Sequence, residues 1–292
     1  MIDSEKMKLW PEPFSPKTGL YLVATPIGNL RDMTLRALDV LSAADMILCE
    51  DKRVSTKLLN AYGIKKPLRP YHDHSTAADR EAVLAMLKEG KVLALISDAG
   101  TPMIADPGYK LVKACREASL PVYAIPGASA VLNALQLSAM PTDIFTFQGF
   151  LPTKSGALNA LLATIKNKTE THVFFESANR LTKTLGFMKD VLGDRKIVIA
   201  RELTKKFEEV FSGTADEILT HYETHILKGE IVIVIEGKSD EVIGEDALDD
   251  LLRKALSANS LKEAVELVRM QTALAKKVVY NRALALKDAA DK

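Results

Sequence analysis

The sequence predicts two α/β domains followed by a small helical extension, and three observations predict it. From Leu20 to about Met140, short apolar runs alternate with stretches whose apolar residues fall three and four apart. From Phe145 to Gly237 the strand-like runs crowd together, with only two clear helical stretches among them. Beyond Gly237 the pattern is purely helical. Continuous apolar strands separated by helices imply a mostly parallel sheet covered on both faces, whereas adjacent strands imply a mixed second sheet. A chain of 292 residues is long enough for two such domains.

The strands expected in the first domain are LYLVA (20–24), MILC (46–49), a weaker LRPYH (68–72), VLALI (92–96) and VYAI (122–125). Between them TLRALDVLSAA, STKLLNAY, AADREAVLAMLKEG and GYKLVKACREAS carry helical spacing. The second domain should hold the strands FTFQGF (145–150), HVFFES (172–177), KIVIAREL (196–203), EEVFSGT (208–214) and EIVIVIEG (230–237), with helices near 154–166 and 178–192. The proline-bearing MPTDIF marks a boundary near Thr142, giving domains over 18–141 and 142–240. Residues 1–17 read as a flexible arm. Over 241–292, EDALDDLLRKAL is one helix, Ser260 and Glu263 make a capping box for the next, and AKKVVYNRALAL forms a third, a helix-turn-helix-like pattern.

Composition excludes several classes of function. Lys and Arg number 39 against 38 Asp and Glu, so no global field points to nucleic acid, and a polyanionic partner must meet a local patch. No apolar run approaches the roughly 20 residues that cross a bilayer, so no membrane partner is expected. Cys49 and Cys115 sit on apolar stretches and suit buried, reduced thiols in a cytoplasmic protein.

In a parallel α/β sheet, ligands bind beyond the carboxyl ends of the strands. Three such loops stand out: TPIGN (25–29), SDAGTPMIADPG (97–108) and IPGASA (125–130). Asp106, Pro107 and Gly108 have the pattern of a helix start, the carboxylate as N-cap and the proline in the first turn. Gly100 permits close backbone approach, and the small residues after Gly127 leave a helix N-terminus open to a carboxylate or phosphate. Familiar nucleotide and metal signatures are missing: the sequence has no G-x-G-x-x-G, no H-E-x-x-H and no G-x-S-x-G. Gly237-Lys238-Ser239 is not a P-loop, because the position five before Gly237 is Val232. His72-Asp73-His74 reads as a solvated turn, and no metal is expected.

LVATPIGNLRDMTLRAL, CEDKR, LISDAGTPMIADPG, IPGASA, FQGFLPTK, FFESANRL, ARELTKKFEEVFSGT and GEIVIVIEG together resemble the ribosomal RNA small subunit methyltransferase I family of the tetrapyrrole methylase superfamily. The resemblance implies a two-domain enzyme that binds S-adenosylmethionine between its domains and works as a homodimer. It also implies methylation of the ribose 2′-oxygen of a cytidine in the decoding region of 16S ribosomal RNA, on the RNA or the small ribosomal subunit, with no DNA partner. Carried over by motif, the cofactor would meet Pro26, Gly28, Asp98, Ala99, Gly100, Thr101, Met103, Ala128, Ser129 and Ala130. From the second domain it would meet Phe175, Ala200, Gly229, Glu230 and Ile231.

A hydroxyl is a weak nucleophile until its proton is drawn away, so a base is needed. Glu50 and Asp51, beside Arg53 at the end of MILC, are the candidates, although the same trio also fits a helix cap with an ion pair. Candidate RNA contacts are Arg31, Lys154, Arg180, Arg201, Lys205 and Lys206, with Lys276, Lys277 and Arg282 on the tail. Two other readings stay open, a small-molecule methyltransferase of the tetrapyrrole type and a nucleic-acid-binding protein with a relic cofactor fold.

Overall fold

The computed structural model describes residues 14–223, 228–238, 245–272, 274 and 276–290. One compact unit spans Met1–Glu236 and a second Gly237–Lys292. Most of the expected arm lies outside the described residues. Its last residues are tied down: the Phe14 amide donates to Asp39 (2.9 Å), and the Tyr21 hydroxyl donates to the Lys17 carbonyl (2.9 Å).

The first half runs β1 (Gly19–Val23), α1 (Leu35–Ala43), β2 (Met46–Cys49), α2 (Lys52–Ala61), β3 (Leu68–Pro70), α3 (Ala77–Lys88), β4 (Val92–Ile96), α4 (Tyr109–Glu117), β5 (Val122–Ile125) and α5 (Ala130–Ser138). Its strands form an all-parallel sheet in the order β3-β2-β4-β1-β5. Alternate side chains feed opposite faces. Tyr21, Val23, Ile47, Ala94 and Ile96 pack against Val40 and Leu41 of α1 and Leu59 of α2. Leu20, Leu48, Leu93 and Leu95 pack against Leu84 and Leu87 of α3 and Leu111 of α4. Helix starts are chemically marked: Thr34 accepts from the Ala37 amide, and Thr76 with Asp79 completes a capping box.

The second half runs β6 (Phe145–Phe150), α6 (Ser155–Ile165), β7 (Thr171–Ser177), α7 (Ala178–Leu192), β8 (Ile197–Arg201), β9 (Glu209–Gly213), α8 (Ala215–Glu223) and β10 (Glu230–Ile235). The sheet order is β6-β7-β10-β8-β9, with β6 parallel to β7 and the other pairs antiparallel, the mixed sheet expected. Helix α8 is additional to the two helices expected. Thr214 and Glu217 start it with reciprocal side-chain to amide bonds of 2.8 and 3.3 Å, a T-x-x-E signature that was legible in GTADE.

Helix α5 joins the two sheets. It leaves the first sheet after β5, yet its Val131, Ala134 and Leu135 pack on Val173, Val198, Ala200, Val232 and Val234 of the second. The opposite face of that sheet, with Phe174, Ile199, Ile231 and Ile233, is covered by Leu158 and Leu162 of α6, Leu181 and Leu185 of α7, and Ile218 of α8. Burying one helix against the neighbouring sheet explains why both sheets belong to one compact unit.

The second unit is a bundle of α9 (Glu245–Leu256), α10 (Leu261–Thr272) and α11 (Lys276–Ala290) around Leu248, Leu252, Val265, Val268, Val279 and Ala283. The Ser260–Glu263 capping box forms as expected. Arg282 braces Asp249 through two bonds of 2.6 and 3.0 Å. Among the described residues, no helix is long and apolar enough to cross a membrane. Both cysteines are buried and free.

His172, on β7 opposite Ile235, is buried, and its two ring nitrogens have no partner among the described residues. Burial lowers its pKa below the ordinary value. Both folded and unfolded forms are therefore neutral above about pH 6.5, and below it the unfolded chain takes the proton first. In urea unfolding from about pH 7.5 to about pH 5.5, wild type should lose stability relative to His172→Phe. An identical pH dependence in the variant would contradict the assignment.

Candidate active site

The three glycine- and proline-bearing loops are fastened to one another. Thr25 and Gly100 exchange backbone bonds, Thr25 N–H to Gly100 O at 2.8 Å and Gly100 N–H to Thr25 O at 3.1 Å. The Thr25 hydroxyl donates to the Ser97 carbonyl (3.3 Å), and the Ser97 hydroxyl donates to the carbonyls of Ala99 and Gly100 (3.2 Å each). The Thr101 hydroxyl then reaches the Ala128 carbonyl (3.2 Å). Strand tips β1, β4 and β5 are thus held side by side by groups that are mostly buried, where each hydrogen bond is costly to lose.

Over these loops lies a cavity of about 360 Å³, within the range of small-molecule sites. Its first-sheet side contains Ile27, Asp98, Ala99, Gly100, Thr101 and Asp106, with Ser129, Ala130 and Val131 at the start of α5. Its second-sheet side contains Phe150, Phe175, Glu176, Ala200, Leu203 and Gly229 to Val232. Phe150 stands edge-on to Phe175, with ring centroids 5.4 Å apart, and leaves most of its own ring exposed. Helix α5 starts in this lining with Ser129 as its N-cap, which accepts the Leu132 amide (3.4 Å), and the amides before Leu132 have no helical partners of their own.

Most residues expected to meet a cofactor line this cavity: Asp98, Ala99, Gly100, Thr101, Ser129, Ala130, Phe175, Ala200, Gly229, Glu230 and Ile231. Pro26, Gly28, Met103 and Ala128 do not. Gly28 instead lies beneath Lys205, where a Cβ would strike the lysine stem, and Ala128 is the acceptor for Thr101. Ile27, Val131, Leu203 and Val232 were not anticipated, because apolar wall residues are indistinguishable in sequence from core, and the exposed Ile104, Ala105, Phe150 and Ser177 carried no distinguishing local signal. Glu176, a lone acid within an apolar strand, carried a visible signal. It accepts from the Ser177 amide (2.8 Å) and the Thr184 hydroxyl (2.8 Å) and pairs with Arg180 (3.3 Å).

Asp106 corrects the reading of its loop. Helix α4 begins only at Tyr109, with Gly108 as N-cap at φ 136° and no side-chain cap. Pro107 and Gly108 delay the helix, and the half-buried Asp106 carboxylate lines the cavity instead. Burial first, then the nearby Glu50 carboxylate, push its pKa up to about 6.

Glu50, Asp51 and Arg53 stand beside the cavity and not in its lining. Asp51 caps α2, accepting the Arg53 amide at 2.7 Å, and grips the Arg53 guanidinium at 2.7 Å; that hydrogen bond lowers its pKa to about 2. Its own amide donates to Asp98 (3.3 Å). Glu50 is raised by burial and by Asp98.

Several candidate RNA cations are already paired. Lys205 bridges Glu202 and Glu230 at 2.8 Å each, Arg201 holds Glu209 at 2.7 Å, and Arg180 donates to the carbonyls of Leu151 (3.0 Å) and Pro152 (2.7 Å). Arg31, Lys154 and Lys206 are exposed and make no ion pair among the described residues. Lys206 lies 5.5 Å over the exposed Phe207 ring. On the tail, Lys276 is 3.9 Å from Glu266, and Arg282 is committed to Asp249.

Residues 19–219 match the family described as Tetrapyrrole (Corrin/Porphyrin) Methylases. A protein of Rickettsia prowazekii named ribosomal RNA small subunit methyltransferase I is 44% identical over 91% of this chain and 96% of its own. Its namesake in Mesorhizobium japonicum is 46% identical over 94% of each. The chain belongs to the ribosomal RNA small subunit methyltransferase I family. Among solved structures, uroporphyrin-III-C-methyltransferase from Thermus thermophilus superposes with a TM-score of 0.53 at 22% identity, covering 75% of this chain and 94% of that one. Diphthine synthase superposes with a TM-score of 0.58 at 14% identity, covering 75% and 90%. These two likenesses establish the tetrapyrrole methylase fold.

In this family member the Thr25 junction rests on Gly100, whose φ of 77° disfavours any side chain and whose Cβ would lie 3.3 Å from Ile27 Cγ2. Gly100→Ala should cost about 1–2 kcal/mol for the backbone alone, with a further loss from displacing Ile27. Gly63, at φ 71° with nothing within 4 Å, isolates the backbone part. Urea midpoints should fall further for Gly100→Ala than for Gly63→Ala, and equal losses would mean that the junction tolerates the displacement.

Proposed function

We propose that this protein transfers a methyl group from S-adenosylmethionine to the ribose 2′-hydroxyl of a cytidine in the decoding region of 16S ribosomal RNA. The observation that carries the reading is the cavity itself, built jointly by three fastened loops and the second sheet in a chain whose relatives bear an RNA methyltransferase name. Its residues fit that cofactor. Ile27, Val131, Phe175, Leu203 and Ile231 offer an apolar slot for a flat ring, the α5 amides suit a carboxylate, and Asp98 and Glu230 suit hydroxyl or ammonium donors. When bound, the sulfonium supplies a methyl group already activated for transfer, so the chemistry demands no metal.

The protein's own contribution is placement and exclusion of water. The loops hold one side of the cavity, while Lys205 ties Glu202 to Glu230 and holds the other. The Glu230 amide also donates to Glu202 (3.0 Å), which fixes the strand end beside Gly229. Exposed Phe150 and Ile104 at the cavity offer apolar surface on which a base could stack. Exposed Leu132 and Leu137 of α5, with Ile144 and Phe145 at β6, suit a second copy of the chain and hence a homodimer.

Tritiated S-adenosylmethionine offered with small ribosomal subunits, naked 16S RNA or a porphyrinogen tests the reading. Label should appear in a 2′-O-methylcytidine whose following phosphodiester resists alkali, since cleavage needs the free hydroxyl. Label in the porphyrinogen would support the small-molecule reading, and no label anywhere the binding-only one.

Salt dependence tests the RNA surface. Lys206→Ala should reduce the slope of log affinity against log salt by about 0.7, one phosphate contact on single-stranded RNA. Lys205→Ala should reduce it less, because two carboxylates already neutralise that lysine. The reverse ranking would overturn the assignment.

A further inference from the structure

Resting on the methyl-transfer reading, we infer that Asp106 is the catalytic base that takes the proton from the attacking ribose hydroxyl. The other carboxylates lining the cavity are engaged. Glu176 is buried in its network with Arg180, Thr184 and the Ser177 amide. Glu230 is held by Lys205, with its side chain 74% exposed. Asp98 accepts the Asp51 amide. Among the described residues Asp106 has no cation partner, and its half-buried carboxylate lines the cavity.

Its loop is strained to present it. Met103 and Ala105 have φ of 72° and 63°, and Gly108 has φ of 136°. Left-handed backbone at residues with a side chain costs energy and persists where surrounding structure over-determines it, commonly at functional sites. The charged groups that act most strongly on Asp106 are Glu50 at the end of β2, Asp98 after β4 and Asp73 in the turn after β3, all acidic. With burial, they make it a stronger base than free aspartate while leaving it largely ionised at neutral pH.

The step balances. The hydroxyl oxygen forms its bond to the methyl carbon as the carbon–sulfur bond breaks, and that electron pair stays on sulfur as a neutral thioether. The hydroxyl proton passes to Asp106 and then to solvent. Glu50 raises the basicity of Asp106 through space and is a positioning residue by charge alone.

Asp106→Asn, Asp106→Glu and Glu50→Gln decide the matter in the full-length protein. Calorimetry should show S-adenosylhomocysteine bound equally by wild type and Asp106→Asn. Single-turnover methylation of small subunits should fall about 10²- to 10⁴-fold in Asp106→Asn and recover in part in Asp106→Glu. The wild-type rate should decline below about pH 6 as the base is protonated, following the raised value of Asp106, and Glu50→Gln should move that decline to lower pH. Retained turnover in Asp106→Asn overturns the inference, as does a decline that Glu50→Gln leaves in place. If wild type places no methyl on the 2′-oxygen, the underlying reading fails; if wild type is active and Asp106→Asn equally so, only the inference does.

Discussion

The reciprocal backbone pair between Thr25 and Gly100 is the constraint on which the rest of the site depends. Two loops that leave parallel neighbouring strands have no ladder to hold them once the strands end, so their amides must find partners or water. Here they find each other, at 2.8 and 3.1 Å, and the hydroxyls of Thr25, Ser97 and Thr101 extend the seam to Ala128. Gly100 makes the pair feasible, because its left-handed backbone brings the chain against Ile27.

The seam alone would give half a cavity. Helix α5 supplies the other half by starting at the seam and ending buried on the second sheet, so Val131 belongs both to the cavity lining and to the core beneath β7, β8 and β10. The ion-pair triad of Glu202, Lys205 and Glu230 then fixes the strand ends opposite, with Lys205 lying over Gly28 of the first loop. Cations at this edge serve the architecture, whereas Glu50 and Asp106 stand near Asp73 and Asp98 on the first sheet, where burial and the neighbouring carboxylates raise the proton affinity of Glu50 and Asp106. The result is a cavity with the carboxylates Asp98 and Asp106 on its first-sheet wall and, on the other, an apolar surface around Phe150, Phe175, Ala200 and Leu203 that Glu176 and Glu230 interrupt.

Much of this was legible in the sequence. Apolar periodicity located every strand of both sheets, and MILC, VLALI, VYAI and FTFQGF coincide with β2, β4, β5 and β6. The three loops were visible as glycine and proline clusters, and Ser260 with Glu263 as a helix start. Pairing between distant residues was not legible. Nothing local says that Lys205 meets Glu230 or that Arg282 meets Asp249, so these cations read as candidate RNA contacts. Asp106 was misread for a related reason: a D-P-G string has the chemistry of an N-cap, and only the positive φ of Gly108 shifts the helix start to Tyr109. Helix α8 was missed although its capping box, Thr214 with Glu217, was present in the sequence.

The central claim is that one ligand bridges the seam and the second sheet. A crystal structure of the protein grown with S-adenosylhomocysteine measures this directly. The account predicts density in contact with both Asp98 to Thr101 and Gly229 to Ile231. Density confined to one sheet, or seated outside the cavity, would contradict it.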